Sequence, residues 1–371
     1  MKLFSRIFLL LIIVSVLMSS CRSELKNVNK TVSEKLDSLL TKEPNFSGVV
    51  LIANQGKPIY HKAFGYRNFE NKVPLDIASI FELASVSKQF TAMIIMMLHE
   101  ENKLSYDDLI DKYIPGLPYP GITIRHLLTH TSGLPDYQDI MDQHWDKTKV
   151  ANNEDIIVYL KKYHPEKLFE PGSKYTYSNT GYVLLASIAE KASGKDFIAM
   201  CRERIFTPIH MTSTDIRSLE EKRSIENFAL GHIYVEAKNR YIRADSFPSS
   251  NYTIWLGNRK GPGRISSTST DLLKWDQILY TEEIVKTKTL EEAFAPMKLS
   301  TDSISNYGFG WDLKADTHFG KIVQHTGDNP GYKTMIIRYV DQNKTLVILC
   351  NNAYPRFDEL TKSINDLIIH E

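Results

Sequence analysis

The most constraining feature of the chain is a serine followed three residues later by a lysine at the start of a long apolar run. Ser85 and Lys88 lie in the segment FELASVSKQF, and the residues from Phe90 to Leu98 are apolar on nearly every side. This pattern predicts a helix buried in the centre of a domain, because a surface helix would keep one polar face. Residues three apart share a helix face, so the Lys88 amine is expected beside the Ser85 hydroxyl.

That pair has the chemistry of an activated nucleophile. A serine hydroxyl is a weak nucleophile at its ordinary pKa and needs an adjacent base. A lysine amine serves as a base only when burial or neighbouring cations lower its pKa, and the apolar helix would provide the burial. The competing interpretation makes Ser85 an ordinary helix cap and Lys88 a solvated first-turn residue. Residues elsewhere in the chain must therefore decide between the two.

The N-terminal residues predict export. Two basic residues precede an apolar run from Ile7 to Met18, and Ser19-Ser20-Cys21 follows. A charged start, a short apolar run and small residues before a cleavage point are typical of a secretory signal peptide, here residues 1–20. A cysteine at that point resembles a bacterial lipoprotein signal, so we expect lipidation of Cys21 and a polar tether over residues 21–31. The alternative is an ordinary signal peptide with Cys21 unmodified.

The order of patterns along the chain predicts an α+β fold. Two strand patterns, VVLIA and PIYHKAFGY, come early, and Gly56 supplies the turn between them. Helical patterns dominate residues 84–219, and the strand patterns KIVQHTG, YKTMIIRYV and KTLVILC precede a final amphipathic helix. We expect one antiparallel sheet built from residues 32–83 and 220–371, flanked by helices, with the mainly helical subdomain inserted into a single catalytic domain of residues 32–371.

Charge and cysteines add two expectations. The formal net charge of the 371 residues is +1, which gives no global field to attract nucleic acid, so no nucleic-acid partner is expected. Cys201 lies in a helical pattern and Cys350 ends a strand pattern. Sequence alone does not place these two thiols within bonding distance, and we expect two buried free cysteines.

Two further motifs complete a candidate site. Tyr177-Ser178-Asn179 precedes a helical pattern, so its side chains can face a cleft at the helix entrance. Tyr177 can relay a proton once neighbouring cations lower its pKa, and the Asn179 amide can bind a substrate amide. His325-Thr326-Gly327 ends a strand pattern, where a glycine lets a substrate backbone approach the strand edge and a threonine offers its hydroxyl. Taken singly, each triplet fits an ordinary turn or strand end equally well.

The ordered trio SVSK, YSN and HTG resembles the penicillin-recognising serine hydrolases, which include class C β-lactamases, D-alanyl-D-alanine carboxypeptidases and related esterases and D-amino-acid peptidases. The stretches ITIRHLLTHTSGLPDY, FEPGSKYTYSNTGYVLLASIAEKASG and YGFGW are similar to the family as well, and the resemblance covers about residues 40–352. It implies a β-lactamase/transpeptidase-like architecture with the site between helical part and sheet. It also implies acyl transfer without a metal or an organic cofactor.

On these positions the resemblance implies an acyl-enzyme mechanism. Ser85 would attack a carbonyl of a small-molecule or peptide substrate, with cell-wall peptides among the candidates. Lys88 or Tyr177 would be the acylation base, and the residues leave that choice open. The backbone N–H groups of Ser85 and Asp328 would hold the oxyanion. The other motif residues would bind the substrate: Asn179, His325, Thr326 and Gly327.

His325 narrows the substrate class. Many β-lactamases have a lysine at this position, whereas a histidine is mostly uncharged near neutral pH and is a weaker anchor for a carboxylate. We therefore expect a peptidase or esterase with weak activity toward β-lactams, and a cation could come instead from the loop residues Arg259, Lys260 and Arg264. The alternative from a different class is a non-catalytic sensor or scaffold that binds penicillin or a cell-wall peptide.

A zinc site is a weaker hypothesis. His126 and His130 are four residues apart in a helical pattern, which is the spacing of a zinc-binding pair. Leu127 stands where a metalloprotease has its glutamate, and the sequence offers no evident third ligand. We therefore expect two structural histidines and no metal.

Overall fold

The structure is a computed structural model that describes residues 32–369. The predicted signal peptide, the lipidation site Cys21 and the tether lie outside these residues. Contacts within the chain separate two units, the described parts of Met1–Phe46 with Pro355–Glu371, and Ser47–Tyr354. Among the helices of residues 32–369, none is both long enough and apolar enough to cross a bilayer.

The smaller unit contains two helices. Helix α1 covers residues 32–42 and helix α12 covers Phe357–Ile369. Each helix has an apolar face with a spacing of four residues, seen in the buried Leu36 and Leu40 of α1. An ion pair joins the ends of the two segments, with 3.1 Å between Arg356 Nη1 and Glu43 Oε2.

The larger unit is built on a six-stranded antiparallel sheet made from both ends of the chain. Its strands are β1 (Gly48–Asn54), β2 (Lys57–Phe64), β12 (Asp312–Asp316), β13 (Gly320–Asn329), β14 (Tyr332–Tyr339) and β15 (Lys344–Cys350). The spatial order is β12-β13-β14-β15-β1-β2, so the first strand pairs with the last. The predicted antiparallel sheet is confirmed. The turn between β1 and β2 uses Gly56 at φ +71°, a left-handed conformation that suits glycine.

Helices follow β2. Those that end by Cys201 lie in residues 84–219, which the sequence predicts to be mainly helical, and those from Leu219 onward lie in the part assigned to the sheet and its flanking helices. The α-helices of the larger unit are α2 (Lys88–Glu100), α3 (Ile124–Leu128), α4 (Tyr137–His144), α5 (Asn153–Tyr163), α6 (Asn179–Ser193), α7 (Phe197–Cys201), α8 (Leu219–Ser224), α9 (Tyr252–Trp255), α10 (Ser269–Ile278) and α11 (Thr287–Ala293). Short strands lie outside the main sheet: β3 (Tyr66–Asn68), β4 (Val73–Pro74), β5 (Phe81–Glu82), β6 (Asp215–Ile216), β7 (His232–Val235), β8 (Arg240–Arg243), β9 (Ile265–Ser267), β10 (Met297–Lys298) and β11 (Ile304–Ser305). Helices combined with an antiparallel sheet confirm the α+β class.

Helix α2 is the buried centre of the larger unit. Every residue from Lys88 to Leu98 is buried, as the apolar pattern predicts. The helix contacts α6 and α7, and the Phe90 ring lies 4.4 Å from the Trp275 ring of α10. The Trp275 indole N–H donates a hydrogen bond of 2.9 Å to Gln89 Oε1. Because α2 is buried on all sides, the residues at the N-terminus of this helix are held in a fixed position.

Both described cysteines are buried free thiols, as predicted. Burial raises the pKa of the Cys350 thiol to about 11 and that of the Cys201 thiol above its ordinary range. A thiol held in its protonated form is a poor nucleophile. These cysteines are therefore packing residues in the structure.

Candidate active site

Ser85 lies in a 3₁₀ turn, Ala84–Ser87, that leads directly into α2. The sequence predicts a helix from about Ser85, whereas the α-helix begins at Lys88. Residues three apart overlie one another in a 3₁₀ turn, so the turn still brings serine and lysine together. Ala84 has φ +50°, a left-handed conformation that costs a non-glycine residue free energy. The backbone strain therefore lies immediately before the candidate nucleophile.

The Lys88 amine is the point where separate segments of the chain meet. Its Nζ lies 3.1 Å from Ser85 Oγ, 2.9 Å from Asn179 Oδ1 and 2.9 Å from the Pro262 carbonyl oxygen. The Asn179 amide oxygen and the Pro262 carbonyl oxygen can only accept hydrogen bonds, so they accept from the two N–H groups of a neutral Lys88 amine. Its lone pair then remains for the Ser85 hydroxyl. This arrangement allows a proton to pass from Ser85 to Lys88.

Electrostatics favour the neutral form of Lys88. The side chain is fully buried. Burial and then the positive charge of Arg259 hold the pKa of Lys88 well below its usual range, and the charge of Asp136 opposes them. A buried amine loses its proton readily because the charged form is poorly solvated. The predicted requirement for a lysine base, a lowered pKa, is thus met.

Tyr177 immediately precedes α6 and lies against the Ser85–Lys88 pair. Lys88 Nζ is 4.7 Å from the centroid of the tyrosine ring, and the nearby Ser85 side chain acts to lower the pKa of the phenol. The residue as a whole is 39 % exposed, but burial of the phenol group raises its pKa above the ordinary range despite the opposing effect of Ser85. The sequence predicts that neighbouring cations lower the pKa of this phenol. That prediction is wrong, because desolvation of the phenol outweighs the other influences.

Asn179 is the first residue of α6. Its Oδ1 is occupied by the Lys88 amine, so the Asn179 amide N–H groups remain for a substrate. The helix is capped by Ser178, whose Oγ accepts a hydrogen bond of 3.1 Å from the Gly181 N–H. The Ser178 N–H in turn donates to Nδ1 of the buried His130 at 3.1 Å. His130 is a supporting residue that the sequence did not assign to this motif.

His126 and His130 do not form the zinc pair that their spacing allows. Helix α3 ends at Leu128, and His130 has φ +57°, so the two residues do not share a helix face. His126 Nδ1 accepts a hydrogen bond from the Thr123 N–H at 3.2 Å. Within residues 32–369, no group of histidine, cysteine and acidic side chains is arranged to hold a metal ion.

His325 on β13 uses both ring nitrogens within the protein. Its Nδ1 lies 2.6 Å from the Thr326 carbonyl oxygen and therefore carries the hydrogen, because that oxygen can only accept. Its Nε2 accepts from the Tyr307 hydroxyl at 2.8 Å. Burial lowers the pKa of His325 to about 3, so the ring is neutral. Substrate binding by His325 stays a prediction, as does binding by Thr326, whose side chain is exposed.

Gly327 permits a close approach within the protein itself. A Cβ atom at this position would lie 2.2 Å from Thr334 Oγ1 and 2.3 Å from the Leu83 carbonyl oxygen. The Thr334 hydroxyl donates a hydrogen bond of 2.8 Å to that same oxygen. The space on the Cβ side of Gly327 is filled by the segment before Ser85, and the approach of a substrate backbone to the strand edge stays a prediction. β13 therefore packs against the nucleophile turn, with Asp328 just beyond the contact.

The three loop cations have different surroundings. Lys260 forms ion pairs with Glu190 and Asp196, which lie on and after α6. Arg264 is buried. Arg259 is the loop cation whose charge acts on Lys88, and its Nε and Nη1 atoms are buried without a hydrogen-bond partner among the described residues.

Cavity size alone would not identify the site. A cavity of about 770 Å³ beside α5 and α6 is lined in part by Arg259 but by none of Ser85, Lys88 and Tyr177. The site is identified instead by the convergence of side chains from α2, the entrance of α6 and β13. The centroids of the Tyr177 and His325 rings, for example, lie 6.1 Å apart.

Known proteins are similar to this chain in sequence and in fold. A profile of the Beta-lactamase family matches residues 32–370. The chain is 42% identical over 332 residues to Penicillin-binding protein 4* of Bacillus subtilis (strain 168), covering 89% of this chain and 72% of that protein. It is 25% identical over 330 residues to Protein flp of Staphylococcus aureus (strain COL), covering 86% of this chain but only 62% of that protein. The octameric penicillin-binding protein homologue from Pyrococcus abyssi has a TM-score of 0.79 at 25% identity, covering 91% of this chain and 77% of that one.

Proposed function

The chain belongs to the beta-lactamase family and is a serine hydrolase of the penicillin-binding-protein fold, and from this premise we propose that it cleaves amide or ester bonds through an acyl-enzyme on Ser85. We propose a D-amino-acid peptidase, a carboxypeptidase or an esterase with weak activity toward β-lactams. The observation that carries the proposal is the Lys88 amine held between Ser85 Oγ and Asn179 Oδ1. A protein that only bound its ligand would have no use for a neutral amine beside the serine.

Export and membrane anchoring are part of the same proposal. They rest on the signal-like residues 1–20 and on Cys21 as the lipidated residue. The protein would then act in the cell envelope, in the periplasm or at a membrane surface. Its substrates there would be small molecules or peptides, including cell-wall peptides.

Every proton in the proposed acylation has a donor and an acceptor. Ser85 Oγ bonds to the substrate carbonyl carbon while the hydroxyl proton passes to the Lys88 lone pair. The carbonyl oxygen becomes an oxyanion, for which the backbone N–H groups of Ser85 and Asp328 are the proposed donors, each worth about 3–4 kcal/mol. The C–N or C–O bond then breaks, and the leaving group takes the phenol proton of Tyr177. The Lys88 ammonium restores that proton, and a water molecule later releases the acyl group.

The pKa directions support Lys88 rather than Tyr177 as the acylation base. Burial lowers the pKa of the Lys88 amine and raises that of the Tyr177 phenol. The amine therefore has a free lone pair that can accept the serine proton, whereas the phenol holds its own proton and cannot act as the base. The sequence alone leaves these two roles open.

The neutral His325 supports the ranking of peptidase or esterase above efficient β-lactamase. With a pKa lowered to about 3, the imidazole carries no charge that could hold a substrate carboxylate at neutral pH. Arg259, whose guanidinium has buried N–H groups without partners among residues 32–369, is the remaining candidate cation beside Lys88.

Incubation with a fluorescent penicillin, a chromogenic ester and D-amino-acid peptides tests the proposed function. We expect turnover of at least one ester or peptide, and mass spectrometry should locate the acyl adduct on Ser85. Ser85→Ala should abolish both signals, whereas the control Ser303→Ala, on an exposed loop, should keep them. A long-lived adduct on Ser85 without turnover would favour the non-catalytic sensor or scaffold instead. The absence of any adduct would contradict both functions.

Removing the Arg259 charge is expected to move the acid limb of the kcat/KM profile to higher pH. Arg259 lowers the pKa of Lys88, so Arg259→Gln raises that pKa, and the amine must lose its proton at a higher pH before it can act as a base. The measurement is kcat/KM against pH with an uncharged ester. Lys260→Gln is the matched control, because Lys260 is paired with Glu190 and Asp196. A shift to lower pH, or an equal shift in both variants, would contradict this coupling.

A further inference from the structure

A buried arginine without a carboxylate partner lies in the segment that follows the Pro262 carbonyl. Arg264 is 3 % exposed. Its Nη1 donates to the Thr253 carbonyl oxygen at 3.1 Å and its Nη2 to the Arg217 carbonyl oxygen at 3.4 Å. Its Nε is buried and has no hydrogen-bond partner among the described residues. A buried charged N–H without an acceptor destabilises a protein, so an unseen acceptor is expected here.

Glu82 is the carboxylate whose charge acts most strongly on Arg264, but its two oxygens already have other partners. Glu82 Oε2 accepts from the Lys222 ammonium at 2.8 Å, and Glu82 Oε1 accepts from the Asn329 amide at 2.9 Å. Burial works to raise the pKa of Glu82, but the charges of Lys222 and Arg264 outweigh it and hold the pKa at about 2. Burial and the Arg264 charge lower the pKa of Lys222 only to about 8, so it remains a cation at neutral pH. One buried negative charge thus faces two buried positive charges.

The neighbouring residues do not supply the missing negative charge. Asp245 lies close by, but it is shared between the guanidinium groups of Arg223 and Arg243. Arg259 adds a further positive charge that acts on both Glu82 and Lys222. Uncompensated buried charge is strongly unfavourable, so the cluster favours binding of an anion.

A small cavity is present at this cluster. It has a volume of about 60 Å³, and its lining includes Glu82, Lys222, Arg264 and Asn329. One water molecule needs roughly 10–15 Å³ of such volume, so the cavity holds a few water molecules or one small anion. The space and the excess positive charge therefore occur at one place, and Arg264, whose Nε–H lacks an acceptor among the described residues, is one of the lining residues.

The backbone at Arg264 is strained. Its φ of +82° lies in the left-handed region, which glycine adopts freely and arginine rarely does. Residues held in such conformations cluster at functional sites, where the surrounding structure compensates for the strain. Glycine would adopt this left-handed conformation without strain, so the arginine side chain itself must contribute something that glycine cannot.

We propose that this cavity binds a small anion, a halide, a carboxylate such as acetate or a small inorganic oxyanion, between the Arg264 Nε–H and the Lys222 ammonium. The anion supplies the negative charge that the cluster lacks. Glu82 lies three residues before Ser85 and is hydrogen-bonded to Asn329, the residue after Asp328. The bound anion therefore stabilises the frame that joins the nucleophile turn to the end of β13. This inference does not depend on which substrate the enzyme hydrolyses.

Thermal unfolding of the purified full-length chain tests the site without any activity measurement. Bromide and acetate are compared with gluconate, which is too large for the cavity, at equal ionic strength. We expect a saturable rise in Tm of about 5 °C at an anion concentration about 100 times Kd. Equal Tm values in bromide, acetate and gluconate would overturn the proposal.

Two glycine variants assign the effect to the cavity. Arg264→Gly removes the guanidinium and suits the left-handed backbone, so it is expected to fold and to lose the dependence of Tm on bromide. Lys72→Gly is the matched control, because it also removes one positive charge at a left-handed residue, on an exposed turn that does not line the cavity. An unchanged bromide effect in Arg264→Gly would overturn the proposal.

A crystal soaked in sodium bromide gives a direct test that does not require a variant to fold. The anomalous map is expected to show a bromide ion at hydrogen-bonding distance from Arg264 Nε. A map with no anomalous peak in the cavity would mean that only water occupies it, and the anion site would be rejected.

Discussion

Replacing Lys88 with methionine is expected to lower the rate of Ser85 acylation by about 10⁴-fold or more, nearly as much as Ser85→Ala. Methionine keeps the length of the side chain but has no lone pair that can take the serine proton. The Lys88 amine is the hydrogen-bonding partner that links Ser85 to Asn179 and Pro262, so the groups act as a unit. Losses from such groups do not add, and the double variant should be hardly slower than either single one.

The loss of acylation in Lys88→Met is expected to come from the missing base rather than from unfolding of the protein. Burying a lysine amine costs desolvation free energy, and an apolar side chain avoids that cost. The saving offsets much of the stability that is lost with the hydrogen bonds of Lys88. We expect the Tm of Lys88→Met to stay close to that of the unmodified protein, while single-turnover acylation by a fluorescent penicillin or an ester disappears. Lys112→Met, at a lysine that is exposed, serves as the control. A Lys88→Met variant that kept a tenth of its activity would shift the base role to Tyr177.

Adding one methyl group at Gly327 is expected to lower kcat by about 10²–10³-fold, the loss typical of removing one oxyanion donor. The alanine Cβ would overlap the Leu83 carbonyl oxygen and Thr334 Oγ1, so β13 must move away from the nucleophile turn. That movement separates the N–H groups of Asp328 and Ser85, which are proposed to hold the oxyanion. Overpacking of this kind also destabilises the fold, by about 1–3 kcal/mol.

A stability-matched control separates the two effects of Gly327→Ala. Gly116 lies on an exposed turn at φ +80°, and no atom lies within 4 Å of the position that an alanine Cβ would take there. Gly116→Ala therefore costs only the left-handed strain, about 1–2 kcal/mol. Urea unfolding measures the free energy of unfolding of both variants, and steady-state kinetics measure kcat. If both variants lost similar stability and both kept full kcat, the proposed role of the β13 contact would be wrong.

Much of the candidate site could be predicted because its motifs are local. Ser85 and Lys88 are three residues apart, and any helical turn brings them together. The Asn179 position follows from a helix start that Ser178 caps, which is also a local property. The antiparallel sheet follows from strand patterns at both ends of the chain, since these must pair to satisfy their backbone groups.

Other parts of the site depend on contacts between residues far apart in the chain. Pro262 contributes only a backbone oxygen to Lys88, and no side-chain pattern marks such an oxygen in advance. His130 supports Ser178 from a left-handed position beyond the end of α3. Tyr307 occupies His325 Nε2, which the sequence left available to a substrate.

The amino-acid sequence by itself determined which groups are present and which of them are neighbours along a turn, namely the hydroxyl and amine of Ser85 and Lys88, together with the strands that form the sheet. Only the tertiary structure decided which of the site's side chains carry a proton and how much space surrounds them. Burial lowers the pKa of Lys88 but raises that of Tyr177, and the packing of Leu83 against Gly327 leaves no room for a side chain at that position. The physical reason is that desolvation and close packing depend on everything surrounding a group, most of which comes from distant parts of the chain.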